Sequence, residues 1–401
     1  MTQALTSKFY QKKREALLQQ MPEQSVAIVA AGKEVVKSLD ENYRFYVNNN
    51  FFYLTGLSEP EGILALIKTQ SQSKCTLFIR KPDPFKEKWF GRYMTIEKAH
   101  EKSGIEDIRY LEAFEHFIDQ CKTLDYFEDD TIPDHQKQDY GFKEKHPLSP
   151  WLSQLRLIKS DEEIALIRHA IHITHLGIDQ ILAHLRPGDY EYQAQNVFES
   201  TIFDHGAEET AFDTIAVSGE DAPILHYMTN RKKMRDQTMI LFDLGARYHG
   251  YCSDISRTFP VGGHFTKEQR ALYEAVLQAQ EKIIPYYQSG RNMKEVQEIS
   301  KKWLGYYGSE TGLFDPNKTI DDYYYHGIGH SLGLDTHDLC GENRRIDLQP
   351  GMVITCEPGL YMADRGMGVR IEDDILITEE GPVVLSKEIP KKVDEIESMM
   401  D

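Results

Sequence analysis

Residues 239–259 read MILFDLGARYHGYCSDISRTF. Two apolar, strand-like runs flank a polar turn at Tyr248–His249–Gly250, the pattern of a β-hairpin. Asp243 and Asp254 are nearly equidistant from that turn. Facing each other across an antiparallel ladder, their Cβ atoms would lie about 5 Å apart. Like charges so placed repel, so the pairing is costly unless a cation lies between them. A pair of metal ions about 3.5–4 Å apart fits such a gap. The plainer alternative is two turn-edge aspartates in solvent.

Residues 352–378, MVITCEPGLYMADRGMGVRIEDDILIT, repeat the arrangement. Glu357 and Glu372 are equidistant from a turn at Ala363–Gly366, each at the end of an apolar run. A single glutamate here could pair with Arg370. Two such hairpins in one chain favour a shared cation. A third stretch, HGIGHSLGLDTHD at 326–338, carries His326, His330 and His337. The i, i+4 spacing of His326 and His330 resembles a zinc-protease helix, but Gly327 takes the place of its glutamate, and Gly327 and Gly329 disfavour a helix. A glycine-rich loop presenting histidines to a cleft is expected instead. His169, His172 and His175 recur every three residues on another predicted helix. With no carboxylate in evident company, they are expected on a solvated face.

Four carboxylates with one or more histidines form a hard, oxygen-rich donor set. It suits Mn²⁺, Co²⁺, Zn²⁺ or Fe²⁺ and argues against copper and iron–sulfur chemistry. Such a metal pair holds hydroxide at neutral pH, so metal-assisted hydrolysis is the implied reaction.

Outward from these hairpins the chain has two textures. Residues 1–125 alternate strand-like runs (SVAIVAAG, GILALIK, KCTLFIR) with helical stretches such as TIEKAHEKSG, an α/β pattern. The polar, proline-containing residues 126–150 read as a connector. From Ser160 a capping signature with Glu163 opens a helix whose isoleucines at 164, 167, 171, 178 and 181 form a stripe. Thr266 with Gln269 and Asn292 with Glu295 open two more. Helices beside hairpin strands indicate an α+β domain, so the expected division is 1–156 and 157–401.

At 401 residues, two domains fit the length. A net charge of −18 argues against binding a nucleic-acid backbone. No window is apolar enough to span a membrane, and the first 20 residues read as an amphipathic surface helix, not a secretory leader. Five cysteines (Cys75, Cys121, Cys252, Cys340 and Cys356) without a CxxC pair point to a reducing, cytoplasmic setting.

The order Asp243, Asp254, His330, Glu357, Glu372 resembles the ligand set of the pita-bread metallopeptidases, which include aminopeptidase P, prolidase and methionine aminopeptidase. The resemblance implies that Asp243 is a terminal ligand, that Asp254 and Glu372 bridge two divalent ions (Mn²⁺ foremost, Co²⁺ or Zn²⁺ as alternatives), and that His330 and Glu357 complete the set. By the same resemblance, His226, His337 and Glu357 are catalytic, with Glu357 also a proton shuttle. His326, Tyr361, Arg370 and Trp89 belong to the substrate side, Trp89 by reaching a neighbouring subunit's site. NYRFYVNNNFFYLTGLSEPEG and KWFGRYMTIEKAHEKSG resemble the N-terminal domain of aminopeptidase P in particular. The implied protein has an α/β N-terminal domain and an α+β pita-bread catalytic domain. It is a homo-oligomer, dimer or tetramer, that releases the first residue from peptides with proline second. The alternatives are a prolidase acting on Xaa-Pro dipeptides and a metal-free pita-bread binding module.

Overall fold

The computed structural model describes residues 4–339 and 346–401, so Cys340 lies outside the described residues. The chain divides into two compact units between Leu155 and Arg156.

In the first unit α1 (Ser7–Gln20) is followed by β1 (Ser25–Ala30), α2 (Asn49–Thr55), β2 (Ile63–Lys68), β3 (Ser73–Ile79) and α3 (Ile96–Ser103). Then come β4 (Asp107–Tyr110), α4 (Phe114–Gln120), β5 (Asp125–Glu128) and β6 (His146–Pro147). One mixed sheet runs in the order β4-β3-β2-β1-β5-β6. Its β1–β2 and β2–β3 pairs are antiparallel, and β1–β5, β3–β4 and β5–β6 are parallel. Val26, Ile28, Ile63, Ala65 and Phe78 bury one face against Phe114, Phe117 and Ile118 of α4. The helix read in TIEKAHEKSG forms because Thr95 accepts the Lys98 N–H and Gly104, at φ 68°, ends it in a left-handed turn. The supposed connector departs from expectation. Its first residues complete β5, because Tyr126 is buried in the α4 core cluster and stacks on Phe142 at 4.3 Å.

The second unit holds α5 (Asp161–His184), α6 (Glu191–Asp204), β7 (Glu209–Thr210), β8 (Ile215–Ser218), β9 (Met239–Leu244), β10 (Ala246–Tyr248), β11 (Tyr251–Cys252) and β12 (Ile255–Pro260). It continues with α7 (Lys267–Ile283), α8 (Met293–Glu310), β13 (Val353–Cys356), β14 (Gly359–Met362), β15 (Met367–Arg370), β16 (Asp373–Thr378), β17 (Gly381–Val384) and α9 (Val393–Met400). Its described ladders are antiparallel throughout, in the orders β8-β9-β12, β11-β10-β7 and β13-β16-β17, with β14 paired to β15. Glu163 accepts the Ser160 N–H at 2.9 Å at the start of α5, and Thr266 and Gln269 cap α7 reciprocally. At α8, Asn292 caps through the Lys294 N–H, while Glu295 turns away to Arg291 at 3.0 Å.

The pairing in the first hairpin differs from the sequence expectation by two residues. Its turn has two central residues, His249 and Gly250, at φ 47° and 84°, the conformation of a type I′ turn. Asp243 therefore pairs with Ser256, not Asp254. The same register sets Asp254 across from Gly245, and a side chain at Gly245 would meet the Ser253 carbonyl at 2.0 Å. Asp243 and Asp254 still share a face, because Asp254 lies two residues from Ser256. They are diagonal neighbours.

In the second hairpin, Gly359 pairs with Arg370 and Cys356 with Asp373. One register runs through both ladders and sets Glu357 across from Glu372 at the gap between them. The His326–His337 segment is loop. Gly329 is required there, because a Cβ would lie 2.0 Å from the Thr355 carbonyl oxygen. His330 joins β13 through its carbonyl, which accepts the Thr355 N–H at 2.9 Å.

Candidate metal centre

Three backbones bring the donors together: the β9–β12 hairpin, the break between β13 and β14, and the glycine-rich loop. Asp254, His330 and Glu372 offer ligand atoms within 4.8 Å of one another. His330 Nε2 lies 3.3 Å from Asp254 Oδ2 and 3.7 Å from Glu357 Oε1. His330 Nδ1 lies 3.2 Å from the Ser331 carbonyl, which holds the proton on Nδ1 and leaves Nε2 free to coordinate.

The cluster is buried and rich in negative charge. Burial, followed by Glu372 and Asp243, pushes the Asp254 carboxyl well above the usual carboxylate range. Burial and then Glu372 do the same to Glu357. Burial and then Asp243 push Glu372 up to about 7. Arg370 sits among these carboxylates. Its Nη2 donates to Asp243 Oδ2 at 2.6 Å, its Nε to Ser256 Oγ at 2.7 Å and its Nη1 to Tyr361 Oη at 3.0 Å. The Ser256 hydroxyl in turn donates to Glu372 Oε2 at 2.7 Å. Asp243 Oδ1 is buried without a hydrogen-bond partner. An orphaned carboxylate oxygen among buried carboxylates suits a divalent cation, and the donor set fits one.

Arg370 departs from the sequence alternative, since its partner is Asp243 rather than a glutamate. Burial and then Arg370 lower the His326 imidazole to about 3, so it is neutral. Arg370 donates to Tyr361, Tyr361 donates to His326 Nε2 at 2.9 Å, and His326 Nδ1 donates to the Gly327 carbonyl at 2.8 Å. His337 lies with its ring 4.1 Å from that of His330. His226 is exposed, on the loop between β8 and β9. Trp89 is exposed in the first unit. The three α5 histidines are not all solvated: His169 packs on Tyr248 at 4.3 Å, and His175 has a carboxylate partner, Asp179, at 3.4 Å.

Sequence reasoning missed Ser256, Tyr324 and Asp374. Tyr324 packs edge-on against His326 at 4.8 Å. Asp374 Oδ2 accepts the Asp254 N–H at 3.3 Å. The period-2 spacing from Asp254 to Ser256 and from Glu372 to Asp374 was the signal available.

Fold and site define a metallopeptidase. The family model described as "Metallopeptidase family M24" matches residues 165–379, and "Aminopeptidase P, N-terminal domain" matches residues 10–125. The chain belongs to metallopeptidase family M24 and carries the aminopeptidase P N-terminal domain. It is 36% identical to the Xaa-Pro aminopeptidase of Escherichia coli strain K12, covering 98% of this chain and 97% of that one. A solved structure from Bacillus anthracis assigned to aminopeptidase P is 36% identical, with a TM-score of 0.94 over 99% of this chain and 98% of that one. Aminopeptidase P from E. coli with the inhibitor Pro-Leu is 33% identical, with a TM-score of 0.92 over 99% of each chain.

Proposed function

We propose that this protein is a dinuclear-metal Xaa-Pro aminopeptidase, hydrolysing the bond between the first residue and a following proline. The observation that carries the reading is the buried carboxylate–histidine cluster, with Asp243 Oδ1 left unpartnered beside Arg370. Asp243, Asp254, His330, Glu357 and Glu372 would hold two divalent ions. Mn²⁺ suits this oxygen-rich set, with Co²⁺ or Zn²⁺ as alternatives. When bound, the ions supply Lewis acidity and lower the pKa of water.

The chain's own groups do the rest. Glu357 receives the proton of the attacking water and returns it to the proline nitrogen, which has no N–H and must leave as a secondary amine. His226 and His337 donate hydrogen bonds to the oxygen that becomes negative during attack. Neutral His326, with Tyr324 and Tyr361 against it, offers an uncharged aromatic wall for the pyrrolidine ring. Arg370 holds Tyr361 and Asp243 in place.

Arg370 also bears on the prolidase alternative. It is 4% exposed, and its Nε and both Nη atoms are already engaged, so it is not placed to capture a dipeptide's carboxylate. A peptide of three or more residues is the favoured substrate. Tripeptide and dipeptide assays under identical metal loading test this. Ala-Pro-Ala is cleaved fastest, and cleavage of Ala-Pro alone would make the enzyme a prolidase.

Trp89 is 73% exposed on the short helix Glu87–Phe90, beside exposed Phe85 and Phe90. An apolar surface of this kind supports a homo-oligomer in which Trp89 reaches a second copy. Cys75, Cys121, Cys252 and Cys356 are free thiols, which supports a reducing cytoplasm. Among the described residues no helix is long and apolar enough to cross a membrane.

A further inference from the structure

Glu191, the first residue of α6, is completely buried, and its two carboxylate oxygens accept four hydrogen bonds, none of them from a basic side chain. Oε1 takes the Ser218 N–H at 2.8 Å and the Ser218 hydroxyl at 2.7 Å. Oε2 takes the Tyr227 hydroxyl at 3.1 Å and the Lys232 N–H at 2.9 Å. The Glu191 N–H also donates to the Lys232 carbonyl at 3.0 Å. Ser218 ends β8, and Lys232 lies beyond His226 in the loop that leads to β9. One side chain thus ties together the chain on either side of His226. Lys232 Nζ closes the same loop again on Asp221 at 2.6 Å. Inside it, Leu225 and Tyr227 pack on the cluster of Ile215, Val217, Leu241 and Tyr361. His226 is held between two anchored neighbours and left exposed.

We propose that Glu191 is a positioning residue that sets where His226 stands, acting through Tyr227 and the Lys232 backbone. This rests on the catalytic reading of His226. Burying a carboxylate is costly, and these four donors offset that cost only while the loop keeps this one conformation. In Glu191→Gln one oxygen becomes a donor. With the amide towards Tyr227, the hydroxyl can turn round and accept, but the Lys232 N–H cannot. The variant therefore keeps the Ser218 anchor and loosens the end beside His226. A misplacement on the order of 1 Å suffices to slow catalysis by about 10²-fold.

The test is a double-mutant cycle between Glu191→Gln and His226→Ala in the metal-loaded enzyme, reading kcat and KM on Ala-Pro-Ala together with metal content and melting temperature. In the otherwise wild-type enzyme, Glu191→Gln lowers kcat by about 10-fold or more with metal content unchanged. In the His226→Ala background the same change has an effect of less than about 2-fold. If His226→Ala lowers kcat but the two losses multiply, or Glu191→Gln costs nothing, the proposal is overturned while the reading of His226 stands. Undiminished turnover in His226→Ala overturns that reading and the proposal with it. Tyr227→Phe, which removes a single hydroxyl, serves where Glu191→Gln does not fold. Its smaller kcat loss must likewise vanish in the His226→Ala background, and persistence there counts against the proposal.

Discussion

The carboxylates of the second unit stand out because each interrupts an apolar strand. Like charges brought together there repel unless a cation lies between them. The mirrored placement of Asp243 with Asp254 and of Glu357 with Glu372 about two turns is what singles them out in the sequence. That reading passed over Ser256 and Asp374, whose only mark is their period-2 spacing, until the register places Ser256 between Glu372 and Arg370 and sets Asp374 on the Asp254 N–H. It also misjudged one pairing. Centring the turn between Tyr248 and His249 moved Asp254 opposite Asp243, whereas positive φ at His249 and Gly250 makes a two-residue turn centred one residue later. At this scale the sharpest expectation concerns His337, whose ring lies 4.1 Å from that of His330. Its replacement by alanine is expected to lower kcat by about 10²-fold or more, with little change in melting temperature, as for loss of one oxyanion donor. Steady-state kinetics beside a thermal melt checks this, and an unfolded variant with no separate kinetic defect would assign His337 to the fold.

Elements were legible where local chemistry decides them. Ser160 with Glu163 and Thr266 with Gln269 start helices as read, and Gly104 ends one. The strand Asp125–Glu128 was hidden, because its polar sequence gains its place from long-range packing of Tyr126. Asp335 and Asp338, on either side of His337, are held by an element-scale network that sequence could not show. Buried Asp338 receives Lys159 Nζ at 3.1 Å and an Arg156 guanidinium nitrogen, and Arg156 also reaches Asp335 at 2.6 Å. Burial raises the Asp338 carboxyl, but Arg156 and then Lys159 outweigh it and hold it below the usual range. A depressed carboxylate stabilises the fold above its unfolded pKa of about 4, and that contribution is lost as pH falls below it. Asp338→Ala leaves two cations buried together and is expected to cost about 3–5 kcal/mol near neutral pH. The difference from wild type should shrink on acidification below about pH 4, measured by denaturant unfolding at several pH values. A difference independent of pH would remove the ionic explanation.

For the whole molecule, the alternation of strands and helices before residue 125 and the hairpins after 237 gave the right two fold classes. Assembly is less legible, because an exposed tryptophan looks the same in sequence as a buried one. Light scattering at micromolar concentration is expected to give a multiple of the 46.3 kDa chain mass. Trp89→Ala is expected to impair peptide turnover in the assembled enzyme, and a monomer of full activity would contradict the role given to Trp89.

The metal centre underlies every catalytic role assigned here, so its occupancy is the decisive quantity. The measurement is metal content per chain by elemental analysis, taken alongside Ala-Pro-Ala cleavage, for wild type and Glu372→Ala. The wild-type enzyme should hold a pair of divalent ions, lose activity when a chelator removes them and regain it on adding Mn²⁺. Glu372→Ala should lose most of both metal and turnover. Full turnover by metal-free protein, or by Glu372→Ala with its metal content unchanged, would contradict the account.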